Sequence, residues 1–257
     1  MIPRRLYEHV KSHNWFAVVI DIVVVVVGVF IGIQVSNWNA DRLARNADKS
    51  YIERIRDDLA SGVQSLQQEV RYYRAVKAAA LDALEGFEKP ADQLDEQFLI
   101  DAYNASRLIN RTVDRSTFDQ ILSTGAMNSI QNMEVWARIA IFYQSVESTD
   151  QTVERMPPYR QNLRRHMPYS VQSAMVERCD NERVFDSRGF VIVTMRENCK
   201  LDLPNEIVAA GVFAIRRPEL KLDLTYRLSE LDGRILYSER LITQAQRLDQ
   251  FLAEAKM

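Results

Sequence analysis

The sequence lacks the short signatures of familiar enzymes. It has no phosphate-cradling loop of the GxGxxG or GxxxxGK[ST] type, no GxSxG elbow and no HExxH pair. It also lacks an excess of charge of either sign. With 33 Lys and Arg against 35 Asp and Glu, the net charge of −2 gives no electrostatic footprint for nucleic acid. Cysteine and histidine are scarce, at 2 and 3, neither cysteine belongs to a CxxC, and none of the histidines is near one in sequence. A structural zinc site of the usual spacing is therefore excluded. Internal repeats and low-complexity linkers are absent too. These absences predict a non-enzymatic protein without a cofactor or metal. An active site would have to be assembled from scattered residues that no spacing reveals.

What the chain does have is a wall of apolar residues near its start. From Trp15 to Val35 only Asp21 and Gln34 are strongly polar. As a helix that run is roughly 31 Å long, enough to cross the hydrocarbon layer of a bilayer. Trp15 and Trp38 stand at its two ends, where the amphipathic indole prefers the headgroup level. A cleaved signal peptide is the competing reading, with Arg4, Arg5 and Lys11 as its basic start. The run is too long for one, and Gln34-Val35-Ser36-Asn37-Trp38 offers no good small-x-small cleavage site. The sequence thus divides into a short basic tail (1–14), a transmembrane anchor (15–38) and a helical domain (39–257).

Sidedness is less directly written. The tail holds Arg4, Arg5 and Lys11, while the stretch just after Trp38 holds Arg42, Arg45, Lys49, Arg54 and Arg56, so a bare count favours the large domain inside. That second stretch carries as many acids as bases, however, and a long domain is translocated largely regardless of charge. Cys179 and Cys199, the candidate disulfide, would close a loop worth roughly 3 kcal/mol outside the cytoplasm. Two buried free thiols are the alternative. The expected arrangement is a cytoplasmic amino terminus with the bulk of the chain in the periplasm.

Beyond the anchor the periodicity is helical. Leu59, Val63, Leu66, Val70, Tyr73, Lys77, Ala80, Leu84 and Phe87 recur in steps of four and three, with only Lys77 off-pattern. No proline interrupts 41–87, so the anchor is expected to continue into this helix as one rod. Gly86 and Lys89-Pro90 should end it, followed by a helix over about 94–108. A short helix, a turn at Gly125 and a helix from Met133 to about Ser148 come next, with Ser116 or Asn132 as cap. After Met156-Pro157-Pro158 a helix runs to Cys179, perturbed at Pro168. Near 183–196 the β-branched run after Ser187-Arg188-Gly189 predicts a small hairpin. From Pro218 onward Leu224, Leu228, Leu231, Ile235, Ser238, Ile242, Ala245, Asp249 and Leu252 repeat the rhythm of the first helix. The predicted fold is all-α, with two long helices packed antiparallel as the spine of a bundle.

Within the anchor, Gly28, Gly32 and Ser36 form a small-xxx-small-xxx-small row, and Asp21 projects within about 20° of it. This is the expected membrane association face, the rest of the surface being suited to lipid. Asp21 has three candidate roles: snorkelling to the interface or staying protonated, pairing with a partner helix, or carrying protons. The third has an architectural parallel, because single-span subunits of proton-driven biopolymer transporters and flagellar stators share the layout of basic tail, early acid and external domain.

Other candidates are weaker. His9 and His13 are spaced i, i+4 but sit on the tail, where headgroup-level polarity explains them. Arg160, Arg164 and Arg165 make a basic patch around His166 that reads as a solvated helix face, with an acidic partner or lipid as the alternative. Asp57, Asp58, Asp92, Asp95 and Glu96 read as solvated carboxylates.

The span followed by Gln34-Val35-Ser36-Asn37-Trp38-Asn39, then "YIERIRDDL" from Tyr51 to Leu59, resembles a family of uncharacterised bacterial membrane proteins with one amino-terminal span. Thr117 to Tyr143 adds a second similarity, a Thr124-Gly125 turn followed by Ile130 and a helix ending in Phe142-Tyr143. Family members often carry glutamate in the span, to which Asp21 is the shorter counterpart; the cysteine loop is not a feature of that family. The resemblance covers the chain to about residue 145. It implies an inner-membrane location and a helical build and supplies no activity.

The expected function is an interaction or assembly subunit whose partners are the lipid bilayer and either a second copy or another membrane protein. The runner-up is a sensor-like ligand-binding ectodomain that, with only the short tail before Trp15, would need a partner to signal. A proton-coupled motor or transporter accessory subunit using Asp21 is third.

Overall fold

Between Pro3 and Pro90 the chain carries no proline, and one helix, α1 (Trp15–Glu88), runs unbroken through this stretch for 74 residues. At 1.5 Å per residue α1 is about 110 Å long. The computed structural model describes residues 15–109, 113–130, 132–153, 156–187 and 189–255. Within it the chain is all-α, with one small hairpin beside the helices.

After the turn at Pro90 come α2 (Glu96–Ala105), α3 (Ser116–Thr124) and α4 (Met133–Val153). Asp95 caps α2 by accepting from the Gln97 amide, and Asn132 caps α4 by accepting from Glu134 and Val135 at 3.0 and 3.3 Å. Ser116 does not cap α3. Asp114 accepts from the Ser116 amide at 2.9 Å, and Asp58, reaching across from α1, accepts from that of Thr117 at 3.2 Å. Asp58 is therefore half-buried rather than solvated, and burial raises its carboxyl above the ordinary range. Gly125 ends α3 in the left-handed region at φ 68°.

Pro168 splits the next segment into two helices, α5 (Pro158–His166) and α6 (Tyr169–Arg178), with Gln172 Nε2 donating to the Arg164 and Met167 carbonyls across the junction. Strands β1 (Glu182–Phe185) and β2 (Val191–Thr194) pair antiparallel, Glu182 opposite Thr194. Below them Cys179 and Cys199 are joined, their Cα atoms 5.4 Å apart. Gln64 of α1 donates to Asp186 at 2.9 Å and docks the hairpin turn on the rod. Two helices follow, α7 (Asn205–Ile215) and α8 (Pro218–Glu254).

Helices α1 and α8 form the spine, and their ion pairs fix its direction. Arg56 meets Asp249, Arg74 meets Glu239, Lys77 meets Asp232 and Glu88 meets Lys221, so numbers rise along one helix as they fall along the other. The off-pattern Lys77 is thereby explained, since its ammonium lies 2.5 Å from Asp232. Two apolar clusters hold the bundle. One, nearer the apolar start of α1, gathers Ile52, Ile55 and Leu59 of α1 with Phe118, Ile139, Tyr143 and Leu248. The other, at the far end, gathers Tyr73, Val76 and Ala80 with Leu99, Tyr159, Val171 and Leu224. Gly86 lies inside α1, just before its end, against the Phe98 ring; a Cβ there would collide with that ring, so packing, not termination, requires the glycine.

Asp101 on α2 is held by Gln97 Nε2 at 2.8 Å, yet burial first, and the Asp82 and Asp95 carboxylates second, push its carboxyl from 3.8 up to about 6. The folded chain thus holds a proton that the unfolded chain has released. The cost of ionising Asp101 accumulates as pH rises from about 4 to about 6 and remains in full above that window. Asp101→Asn is expected to raise the thermal midpoint of the full chain at pH 7.5 and leave it nearly unchanged at pH 4. An equal shift at both would contradict this origin.

Candidate transmembrane association face

The residues that carry the membrane reading all lie on the first third of α1. Val18–Ala40 is a stretch of 23 residues with mean hydropathy 2.8, long and apolar enough to cross a membrane, and only 6% of its most apolar window is buried. Trp15 and Trp38, about 35 Å apart along the axis, are both exposed, and the Arg42 guanidinium sits 6.0 Å from the Trp38 ring. That cation–aromatic pair is of a kind suited to the headgroup level of a bilayer. His9, His13 and the basic tail lie outside the described residues.

The structure brings Gly28, Gly32 and Ser36 onto one face, with Asp21 alongside and half-exposed. A Cβ added at Gly28 or Gly32 would have no neighbour within 4 Å. Ile52, Ile55 and Leu59 point into the bundle. At about 100° per residue, the small-residue row lies roughly 180° around the same helix from them. On that face Gly28 and Gly32 are open, while Val18, about five turns before Ser36, is buried.

The basic patch is placed differently from the expected solvated face. Arg165 and His166 are exposed, but Arg160 donates to the Ser106 carbonyl at 2.8 Å, and Arg164 donates to Ser106 Oγ at 3.1 Å with its guanidinium 3.4 Å over the Tyr103 ring. Arg227, 3% exposed, donates to the Ala105 and Arg107 carbonyls, and Arg107 to that of Cys179. These guanidiniums gather at the carboxyl end of α2, where carbonyls without helical partners and the negative end of the helix dipole need donors. Burial lowers the pKa of both Arg164 and Arg227. The cluster is a buried brace, and one residue missed by the sequence reading, Arg227, is at its centre. Its signal was a basic residue one step before Leu228 in the stripe of α8.

Among the described residues, no group of three or more His, Cys, Asp or Glu is arranged to hold a metal. No family model matches the chain, and no curated protein or solved structure does.

Proposed function

We propose that the chain is a single-pass protein of the bacterial inner membrane, anchored by residues 15–38, whose helical bundle serves as a non-enzymatic interaction or assembly subunit in the periplasm. It associates through the Asp21/Gly28/Gly32/Ser36 face with another spanning helix, a second copy being the simplest partner. The observation that carries this reading is the face itself: small residues and an acid on the open side of an unbroken helix, opposite the bundle. The Cys179–Cys199 bond supports the sidedness, because disulfides persist in oxidising compartments.

The test is the intact mass of the full chain, extracted in mild detergent after cross-linking in the membrane. A discrete oligomer, or one stoichiometric membrane partner, is the expected result. A uniform monomer overturns the reading.

A further inference from the structure

At the end of the bundle farthest from the anchor, helix α7 is apolar for a surface element, with the sequence NEIVAAGVFAI. It packs on α2 through Gly211, where an added Cβ would lie 3.0 Å from Leu99. Its other side is open: Phe213 is 85% exposed. Between that side and the turn after α1 runs a groove of about 780 Å³, with Leu94, Leu203 and Val208 in its lining beside Phe213.

The groove's edge is acidic. Asp92, Asp95 and Glu96 line it, and among the described residues of the lining Arg216 is the one cation. Asp95 and Glu96 accept backbone amides, of Gln97 and Leu201, and among the described residues neither forms an ion pair, although the amino end of α2 and the nearby Lys89 partly offset Asp95. Of the nearby cations, Lys89 pairs with Glu85 at 2.8 Å and Lys221 with Glu88 at 2.5 Å, while Arg216 donates to the Phe87 carbonyl at 3.5 Å and keeps its charge. Asp82 and Asp101 deepen the negative field behind the rim. An apolar floor under an edge of three carboxylates and one guanidinium is complementary to a segment with apolar side chains on one face and Lys or Arg on the other.

We propose that this groove is a docking site for a basic amphipathic segment of a partner protein. An anionic lipid surface is disfavoured by the same charge. The anchoring bilayer is also remote, because the part of α1 from Ala40 to Glu88 carries the tip about 70 Å along the rod. The site is independent of the association face in the span, so either can fail without the other.

The experiment uses the full chain in nanodiscs of zwitterionic lipid, with empty discs as blank, and a fluorescent synthetic helix of leucine and lysine with the two residue types on opposite faces. Its leucine–glutamate counterpart and a scrambled leucine–lysine peptide are the comparators. The amphipathic basic peptide is expected to bind at least tenfold more tightly than either. Phe213→Ser and, separately, Asp92→Lys are expected to weaken it fivefold or more, while Leu222→Ser, an exposed apolar position outside the groove lining, leaves it unchanged. Both altered side chains are exposed, so neither change disturbs the core. Equal binding of the acidic peptide, unchanged affinity in Phe213→Ser, or a shift in oligomer mass caused by Phe213→Ser each overturns the proposal, the last by showing that a second copy occupies the groove.

Discussion

Replacing Gly28 and Gly32 together with isoleucine is expected to weaken association of the chain in the membrane by on the order of tenfold or more, equivalent to about 1.4 kcal/mol. The reason is steric. Helices in lipid gain little from burying apolar surface against one another, so close backbone approach over small residues supplies most of the attraction. Two β-branched side chains on the row hold a partner backbone away. The substitution is also a clean probe, because a Cβ at either glycine has no neighbour within 4 Å in the chain's own fold. The bundle should unfold at the same temperature in variant and parent. Intact mass after cross-linking reads the effect directly, and an unchanged oligomer removes this face from the account. Asp21→Asn separates the roles of the acid. If Asp21 pairs across the interface, the change weakens association. If it carries protons, the complex assembles normally and loses activity.

The second large effect concerns the inside of the bundle. Glu69 is 4% exposed, lies 2.8 Å from Arg234 of α8 and accepts from Ser238. Arg234 in turn stacks 4.6 Å from the Tyr73 ring, and both it and the Tyr73 hydroxyl donate to the Ile109 carbonyl. Glu69→Ala strips a buried guanidinium of this carboxylate, which costs about 3–5 kcal/mol, a large part of the roughly 5–15 kcal/mol that typically holds a domain together. The exposed pair Arg74–Glu239 spans the same two helices, yet Glu239→Ala should cost under about 1 kcal/mol, since water screens it. Denaturant unfolding of the full chain in detergent compares the two. A double change of Glu69 and Arg234 to leucine is expected to recover more than half of the loss. Equal effects of Glu69→Ala and Glu239→Ala would show that burial does not set the strength of the pair.

The same pair shows how much of the fold was legible from sequence. The four-and-three stripes of α1 and α8 announced two long helices, because apolar residues at helical spacing must be buried. Their polar exceptions were unreadable until the partner was known: Lys77 answers Asp232, Ser238 answers Glu69 and Asp249 answers Arg56. Pro168 was readable as a disturbance, and the structure makes it a full break with α6 beginning after it. Arg160 and Arg164 do not read as buried because their acceptors, the Ser106 carbonyl and the Ser106 hydroxyl, lie more than 50 residues away with no spacing to announce them. Helix α7 is hard to read from sequence for a related reason. Its apolar run is short, and its role follows from which elements stop short of covering it. The small-residue row and Asp21, by contrast, could be placed on one face by counting alone, whereas the side on which the bundle hangs required the structure.

Single cysteines placed along 22–37 and oxidised in native membranes test most directly whether an unbroken helix spans the bilayer and offers the Gly28/Gly32/Ser36 face, on the side away from the bundle, to another helix. The background is silent because Cys179 and Cys199 are bonded to each other. The expected result is a set of interchain cross-links that peak at positions 28, 32 and 36 and fall to a minimum at Val26, Phe30 and Gln34. Cross-linking of equal strength at every position, or a peak on the Val26/Phe30 side, would contradict it.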